Sequence, residues 1–106
     1  MCHCLACQRR TGSPFSLQAR WPADRVTLEG RAHEFNLVGD EGSTATFRFC
    51  PTCSATVYFT NDTMPDLIAI PVGAFADPAF PPPQYQVYGV RRHPWISTTF
   101  EIEELH

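Results

Sequence analysis

The stretch that decides the fold is TATFRFCPTCSATVYFT, residues 44–60. Residues 44–49 alternate polar and apolar side chains, and residues 55–60 are rich in β-branched and aromatic ones, so both flanks are predicted to be strands. Between them, Cys50 and Cys53 form a C-x2-C pair on a tight turn. The stretch therefore predicts a β-hairpin that carries two thiols at its tip.

Short strands also account for the rest of the chain, which ten prolines and six glycines divide into brief segments. Strand-like runs separated by turn signals, with no long helical period, predict an all-β fold in a single domain over residues 1–106. The other predicted strands cover residues 15–21, 25–30, 32–39, 67–75 and 84–90, with an edge strand or tail at 96–105. A turn is predicted at 40–43, a loop at 61–66, and a short helical turn around 9–12 or at 76–80.

The composition argues against several classes of protein. The formal net charge is −3 and the chain has eight basic residues, all Arg, so it lacks the basic field that drives nucleic-acid binding. No apolar run has the length of a membrane span or of a signal h-region, so we expect a cytoplasmic protein without a membrane partner. Because thiols stay reduced in the cytoplasm, clustered cysteines there indicate metal binding or catalysis rather than disulfides.

The five cysteines form two clusters, one near the start of the chain and one on the predicted hairpin tip. Cys2, Cys4 and Cys7 have the spacing C-x-C-x2-C. Zinc is the metal that an all-thiolate set favours, with iron second. Two tight clusters argue against the alternative of five inert core cysteines.

The spacing leaves two zinc arrangements open. In one, Cys4 and Cys7 join the hairpin pair in a closed four-thiolate site, and Cys2 is spare. In the other, Cys2, Cys4 and Cys7 form a three-thiolate site whose open fourth position is typical of catalytic zinc. Cys50 and Cys53 would then be half of a second, structural site.

Two motifs of the chain resemble those of a known family. The stretches CHCLACQRRTGSPF at 2–15 and FCPTCSATVYF at 49–59 are similar to motifs of the glutathione-dependent formaldehyde-activating enzyme family, which includes the centromere protein V relatives. Residues 72–83 and RRHPW at 91–95 extend the similarity. The resemblance implies a zinc-binding β-tent fold of short antiparallel strands with two zinc sites.

The resemblance also favours one arrangement of the cysteines. It implies that Cys2, Cys4 and Cys7 hold a catalytic-type zinc and that Cys50 and Cys53 supply half of a structural zinc site. The other half would come from a C-x-C-G strand, so we expect the natural chain to begin upstream of Met1. Ser54 stands where the family usually has Gly, and we expect a positive φ there at some cost.

The activity that the resemblance implies is that of a zinc-dependent carbon–sulfur lyase. Its partners would be glutathione, or another small thiol, and formaldehyde or a related small aldehyde, with S-hydroxymethylglutathione as the adduct. Arg9 and Arg10, and similarly Arg91 and Arg92, are candidates to bind the glutathione carboxylates in charge-assisted forks, the alternative being solvated surface arginines. Gln8 and His93 are interpreted as structural, and His3 as an exposed histidine, the alternative being a group that supports the metal ligands or carries a proton.

Two other functions compete with the enzyme. The first is a non-enzymatic zinc-binding interaction module with a closed four-cysteine site. The second is a nucleic-acid-binding zinc ribbon, which the acidic balance disfavours. The oligomeric state is left open by the sequence.

Overall fold

The computed structural model describes residues 1–39 and 42–105. The chain divides into two compact units. The sheet unit is the continuous segment from Gln18 to Ala76, and the terminal unit combines Met1–Leu17 with the chain from Asp77 onward. Regular structure in the described residues is mostly strand, with one short α-helix, which confirms the all-β prediction. None of the described helices is long and apolar enough to span a membrane.

The sheet unit is built on a five-stranded antiparallel sheet with the order β1-β5-β4-β3-β2. Its strands are β1 (Gln18–Pro22), β2 (His33–Val38), β3 (Thr44–Phe49), β4 (Thr56–Asn61) and β5 (Met64–Pro71). Short 3₁₀ helices follow β1 at Ala23–Arg25 and β5 at Val72–Phe75.

The predicted hairpin is present as β3 and β4, which pair antiparallel across the turn that carries Cys50 and Cys53. Phe47 of β3 lies directly opposite Phe59 of β4 and opposite Phe35 of β2, so the three rings share one face of the sheet. The rings of Phe47 and Phe59 have centroids 4.8 Å apart, and Phe47 is only 7% exposed. The alternation read from the sequence therefore identifies a buried position at the centre of the sheet.

The strand predicted at residues 25–30 is wrong. Val26 closes the 3₁₀ turn by donating its N–H to the Ala23 carbonyl, and Gly30 has φ 90°. Leu28 remains 50% exposed. A run of alternating residues becomes a strand only where a neighbouring strand accepts its hydrogen bonds, and the sheet ends at β1 on one side and β2 on the other.

The loop predicted at residues 61–66 is shorter than expected. Asn61 pairs with Met64, so β5 begins there and two residues connect the strands. The Asn61 Oδ1 accepts hydrogen bonds from the Thr63 N–H at 2.9 Å and from the Thr63 hydroxyl at 2.8 Å. This side-chain turn tightens the connection, and Asp66 consequently belongs to the strand.

The terminal unit contains the helix α1 (Leu5–Thr11) and the strands β6 (Tyr85–Val87) and β7 (Glu103–Leu105). β6 and β7 pair parallel, unlike the antiparallel strands implied by the resemblance. The helix is longer than the turn predicted at 9–12, and it ends at Gly12, whose φ of 69° suits a glycine cap. The helical turn considered at 76–80 is absent, and the predicted turn at 40–43 includes Asp40 and Glu41, which lie outside the described residues.

Candidate metal centre

The three cysteines of the first cluster come together in the terminal unit. The Sγ atoms of Cys2, Cys4 and Cys7 all lie within 4.8 Å of one another. Cys2 is buried, and Cys4 and Cys7 are half-buried. Of the two arrangements that the spacing left open, the structure thus brings together the three cysteines that the family resemblance favoured.

Backbone pairing holds Cys2 in place although it is the second residue of the chain. Its N–H donates to the Ser16 carbonyl at 2.9 Å, and the Ser16 N–H donates back to the Cys2 carbonyl at 2.9 Å. On the other side, the Val87 N–H donates to the Met1 carbonyl at 3.0 Å, and the His3 N–H donates to the Val87 carbonyl at 3.1 Å. The first residues therefore run as an extended segment beside β6.

Cys4 and Cys7 are positioned by the start of α1. Cys4 is the N-cap residue, with φ −65° and ψ 155°, and its Sγ accepts a hydrogen bond from the Cys7 N–H at 3.3 Å. The change from extended to helical backbone at Cys4 brings the Cys7 side chain back toward it, since residues at N-cap and N3 face each other. A cysteine here fills the capping role that Ser or Asp usually fills.

The three thiols share their protons unequally. A hydrogen bond from the Cys2 thiol lowers the pKa of Cys7 to about 5, and the Ser16 hydroxyl and the Arg10 guanidinium act in the same direction. The same hydrogen bond raises the pKa of Cys2, and burial raises the pKa of Cys4. Near neutral pH the metal-free cluster therefore holds one negative charge, on Cys7, and two protonated thiols.

The donor set fits a thiophilic metal ion. Three sulfurs that converge on one point, one already a thiolate, are soft ligands of the kind that Zn²⁺ favours. Because the group offers three ligand atoms and a tetrahedral ion takes four, a bound ion would keep one position for a further ligand. Cys2, Cys4 and Cys7 are thus the residues that could hold a metal in this unit.

Polar side chains that no sequence pattern marks as functional fix the backbone around the cluster. The prediction of an exposed His3 is wrong: the side chain is 0% exposed, and its Nε2 lies 2.9 Å from the Gln86 Oε1. The Gln8 Nε2 donates to the His3 carbonyl at 2.8 Å. Nothing in the sequence marks Gln86 or Ser16, because each reaches the cluster through strand pairing with residues far along the chain.

Arg9 and Arg10 lie in the last turn of α1. Arg9 is exposed, whereas Arg10 is half-buried and its charge acts on the Cys7 thiolate. A guanidinium that offsets the charge of the cluster has a role independent of any substrate. That either arginine binds a glutathione carboxylate stays a prediction.

Cys50 and Cys53 lie in the sheet unit, at the tip of the β3–β4 hairpin. The Ser54 N–H donates to the Cys50 carbonyl at 2.8 Å, and the Thr52 N–H donates to the Cys50 Sγ at 3.4 Å. Hydrogen bonds from the Cys53 and Thr52 N–H groups lower the pKa of Cys50. Backbone N–H groups directed at a thiolate suit a metal knuckle, but two sulfurs alone are only half of a site, so the assignment of this pair as metal ligands stays a prediction.

Ser54 adopts the expected positive φ, 66°. A left-handed residue after the second cysteine lets the chain turn back into β4, where the Cys50 N–H donates to the Ala55 carbonyl at 2.8 Å. Serine adopts this conformation less readily than glycine, so the tip carries a small local strain.

Comparison with known proteins identifies a family whose model covers both cysteine clusters. A family model described as glutathione-dependent formaldehyde-activating enzyme matches residues 1–91, which contain both cysteine clusters. A search of curated proteins gave no match.

Proposed function

The chain belongs to the glutathione-dependent formaldehyde-activating enzyme family, and on that premise we propose that it is a zinc-dependent carbon–sulfur lyase. The proposed reaction joins glutathione, or another small thiol, to formaldehyde or a related small aldehyde, and also runs in reverse. The observation that carries the proposal is the convergence of the Cys2, Cys4 and Cys7 sulfurs within 4.8 Å. The proposal includes a cytoplasmic location, where glutathione is kept reduced.

Zinc is the metal that we propose for the three sulfurs. When bound, it supplies Lewis acidity and an open coordination position for a thiolate or an aldehyde oxygen. Cys2 and Cys4 give up their protons when the metal binds, because only thiolates ligate. Cys7 is already a thiolate near neutral pH, since its pKa is lowered to about 5.

The chain's charged side chains complement the proposed substrates. In the forward direction a sulfur–carbon bond forms, the carbonyl π bond breaks, and the thiol proton ends on the new hydroxyl oxygen. The Arg10 guanidinium offsets the negative charge of the thiolates, and Arg9, exposed one residue earlier, is available to a glutathione carboxylate. Cationic side chains beside an anionic cluster also draw an anionic thiol toward it.

Metal stoichiometry and adduct exchange together test this function. Native mass spectrometry should find zinc bound to the wild-type chain. Cys2→Ser should lose the zinc of the first cluster, and Cys53→Ser should retain it. Exchange NMR should show that the wild-type chain speeds interconversion of glutathione and S-hydroxymethylglutathione above the uncatalysed rate, and that Cys2→Ser does not. A single zinc that requires Cys4, Cys7, Cys50 and Cys53 but not Cys2 would contradict the open three-thiolate site.

A further inference from the structure

The Gln8 side chain connects the segment that contains Cys2, Cys4 and Cys7 to the segment 91–93 near the end of the chain. Its Nε2 donates to the His3 carbonyl at 2.8 Å and lies 3.4 Å from the Arg91 carbonyl. Its Oε1 lies 3.0 Å from the Nε2 of His93. One amide therefore ties together two backbone carbonyls and one imidazole within the terminal unit.

The contacts of Gln8 determine which nitrogen of His93 carries a proton. Carbonyl oxygens only accept hydrogen bonds, so the amide nitrogen of Gln8 must be the atom that faces His3 and Arg91. The Oε1 that faces His93 is then an acceptor, and the His93 Nε2 must donate. In a neutral imidazole whose Nε2 is protonated, Nδ1 has a free lone pair and can accept a proton.

The same contacts place His93 close to the candidate metal centre. The hydrogen bonds of 2.8 and 3.0 Å share one amide group, so the His93 Nε2 lies at most about 8 Å from the His3 carbonyl, between two candidate ligands. His93 is half-buried and meets the edge of the Trp95 ring, with centroids 6.1 Å apart. The His93 imidazole is thus held, through one amide group, beside the backbone that joins two candidate ligands, and it remains half-buried.

The segment that presents His93 is itself anchored. The Glu104 carboxylate of β7 accepts a hydrogen bond from the Gly89 N–H at 2.9 Å, at the start of the 3₁₀ turn Gly89–Arg91. A Cβ at position 89 would collide with that carboxylate, so a larger residue there would require the Glu104 side chain to move. β7 thereby fixes the turn from which the chain runs to His93.

The charged groups on the two elements that carry the pair are four arginines and the Cys7 thiolate. α1 contributes Arg9 and Arg10, and the segment of His93 contributes Arg91 and Arg92. These contacts also bring in His3, through its carbonyl, and the Glu104 carboxylate is bonded to the Gly89 N–H of the turn that leads to His93.

We propose that His93, held by Gln8 as its Nε2–H tautomer, accepts the thiol proton of the substrate at Nδ1. The inference rests on the proposed function and names the proton acceptor of that reaction. The proton moves from sulfur to Nδ1, the sulfur electron pair forms the bond to the aldehyde carbon, and the carbonyl oxygen takes the proton back from the imidazolium. The histidine returns to its neutral form, and the thiol and the aldehyde are joined in one adduct.

The tautomer can be tested without turnover. In the full ¹⁵N-labelled chain, two-bond nitrogen–proton correlations, assigned by their loss in His93→Gln, should show a protonated Nε2 and a bare Nδ1. Glutathione should move the Nδ1 resonance, and S-methylglutathione, which has no thiol proton, should not. A protonated Nδ1, or equal responses to the two ligands, would overturn the proposal.

Kinetics test the proton transfer with a variant that keeps the hydrogen bond. His93→Gln retains an N–H donor toward Gln8 but has no basic nitrogen, so kcat should fall about 100-fold while KM changes little. Added imidazole should restore part of the rate of His93→Ala, which a merely structural role does not predict. His33→Gln, in the sheet unit, is the matched control and should keep wild-type kcat.

The two hypotheses fail in different ways. Wild-type exchange that His93→Gln leaves unchanged would overturn the role of His93 and leave the proposed function standing. A wild-type chain that neither speeds exchange nor responds to glutathione would overturn both.

Discussion

At the scale of single residues, the three-cysteine cluster combines features that the sequence shows with features that it hides. The spacing of Cys2, Cys4 and Cys7 left their grouping open and the family resemblance favoured it; in the structure an extended residue followed by a helical turn brings the three side chains together. The unequal protonation could not be predicted. It depends on the hydrogen bond from Cys2, on Ser16, which is brought beside Cys2 by backbone pairing, and on the charge of the half-buried Arg10.

The lowered pKa of Cys7 leads to a prediction for the metal-free chain. After chelation, alkylation of Cys7 by iodoacetamide should rise through about pH 5 and level off by neutral pH, since the Cys2 hydrogen bond lowers the pKa to about 5. The alkylation rate of an unstructured cysteine peptide, whose pKa is about 8.5, should instead keep rising up to about pH 8.5. Peptide mapping by mass spectrometry measures the site, and Cys2→Ser should move the Cys7 profile toward that of the peptide.

The same shift fixes the sign of one contribution to stability. A thiol whose folded pKa is depressed stabilises the fold above its unfolded pKa, and that contribution is lost as the pH falls through the folded value. The Cys7 contribution should therefore be lost as the metal-free chain is acidified toward about pH 5. Alkylation of Cys7 that keeps rising up to pH 8.5 would contradict both expectations.

At the scale of elements, the hairpin was predictable and its surroundings were less so. β3 matches the predicted run because alternation and β-branched residues act locally and the neighbouring strand is next in the chain. The run at 25–30 has a similar pattern, yet whether a strand forms there depends on whether a partner edge is available, which no local pattern reveals. Likewise, the parallel pairing of β6 with β7 joins segments whose only sequence signal is a short apolar run.

Ser54 at the hairpin tip provides a prediction about backbone strain. Ser54→Gly should raise the free energy of unfolding by about 0.5–1 kcal/mol, because glycine adopts φ 66° without the steric cost that serine meets there. Ser97→Gly, at an exposed position that lacks a positive φ, is the matched control and should destabilise slightly. Urea denaturation measures both, and a Ser54→Gly variant less stable than wild type would contradict the strain at the tip.

Phe47 and Phe35 provide a matched pair for the sheet. They are directly opposite each other on β3 and β2, yet Phe47 is 7% exposed and Phe35 is 58% exposed. Phe47→Ala should cost about 3–5 kcal/mol, because it removes a buried ring that packs on Phe59. Phe35→Ala should cost under about 1 kcal/mol because little of its area is buried. Equal losses in thermal or urea unfolding would show that burial does not distinguish the two positions.

At the scale of the whole molecule, the sequence predicted a single domain, and the chain divides into two units of different construction. The sheet unit is continuous in sequence and rests on five paired strands. The terminal unit joins the start of the chain to its end through a seven-residue helix and two three-residue strands. Such short elements are marginal on their own, so a metal that ties Cys2, Cys4 and Cys7 together would supply much of their order.

The difference in construction between the two units predicts how each responds to metal removal. Hydrogen exchange followed by mass spectrometry, with and without a zinc chelator, should show loss of protection in the terminal unit, at peptides that contain the amides of Cys2, His3 and Val87. Those amides donate to backbone carbonyls around the cluster. Peptides from β3 and β4 should keep their protection, because their ladder does not depend on the three sulfurs.

The control for this experiment separates metal loss from a general effect of the chelator. Cys2→Ser should reproduce the exchange pattern of the chelated wild type before any chelator is added, and the chelator should then change its terminal unit little further. Cys53→Ser should behave like wild type in the terminal unit, because its thiol belongs to the hairpin of the sheet unit. Equal loss of protection in both units of wild type would mean that the metal orders the whole chain, and unchanged exchange everywhere would mean that the three sulfurs hold no ordering metal.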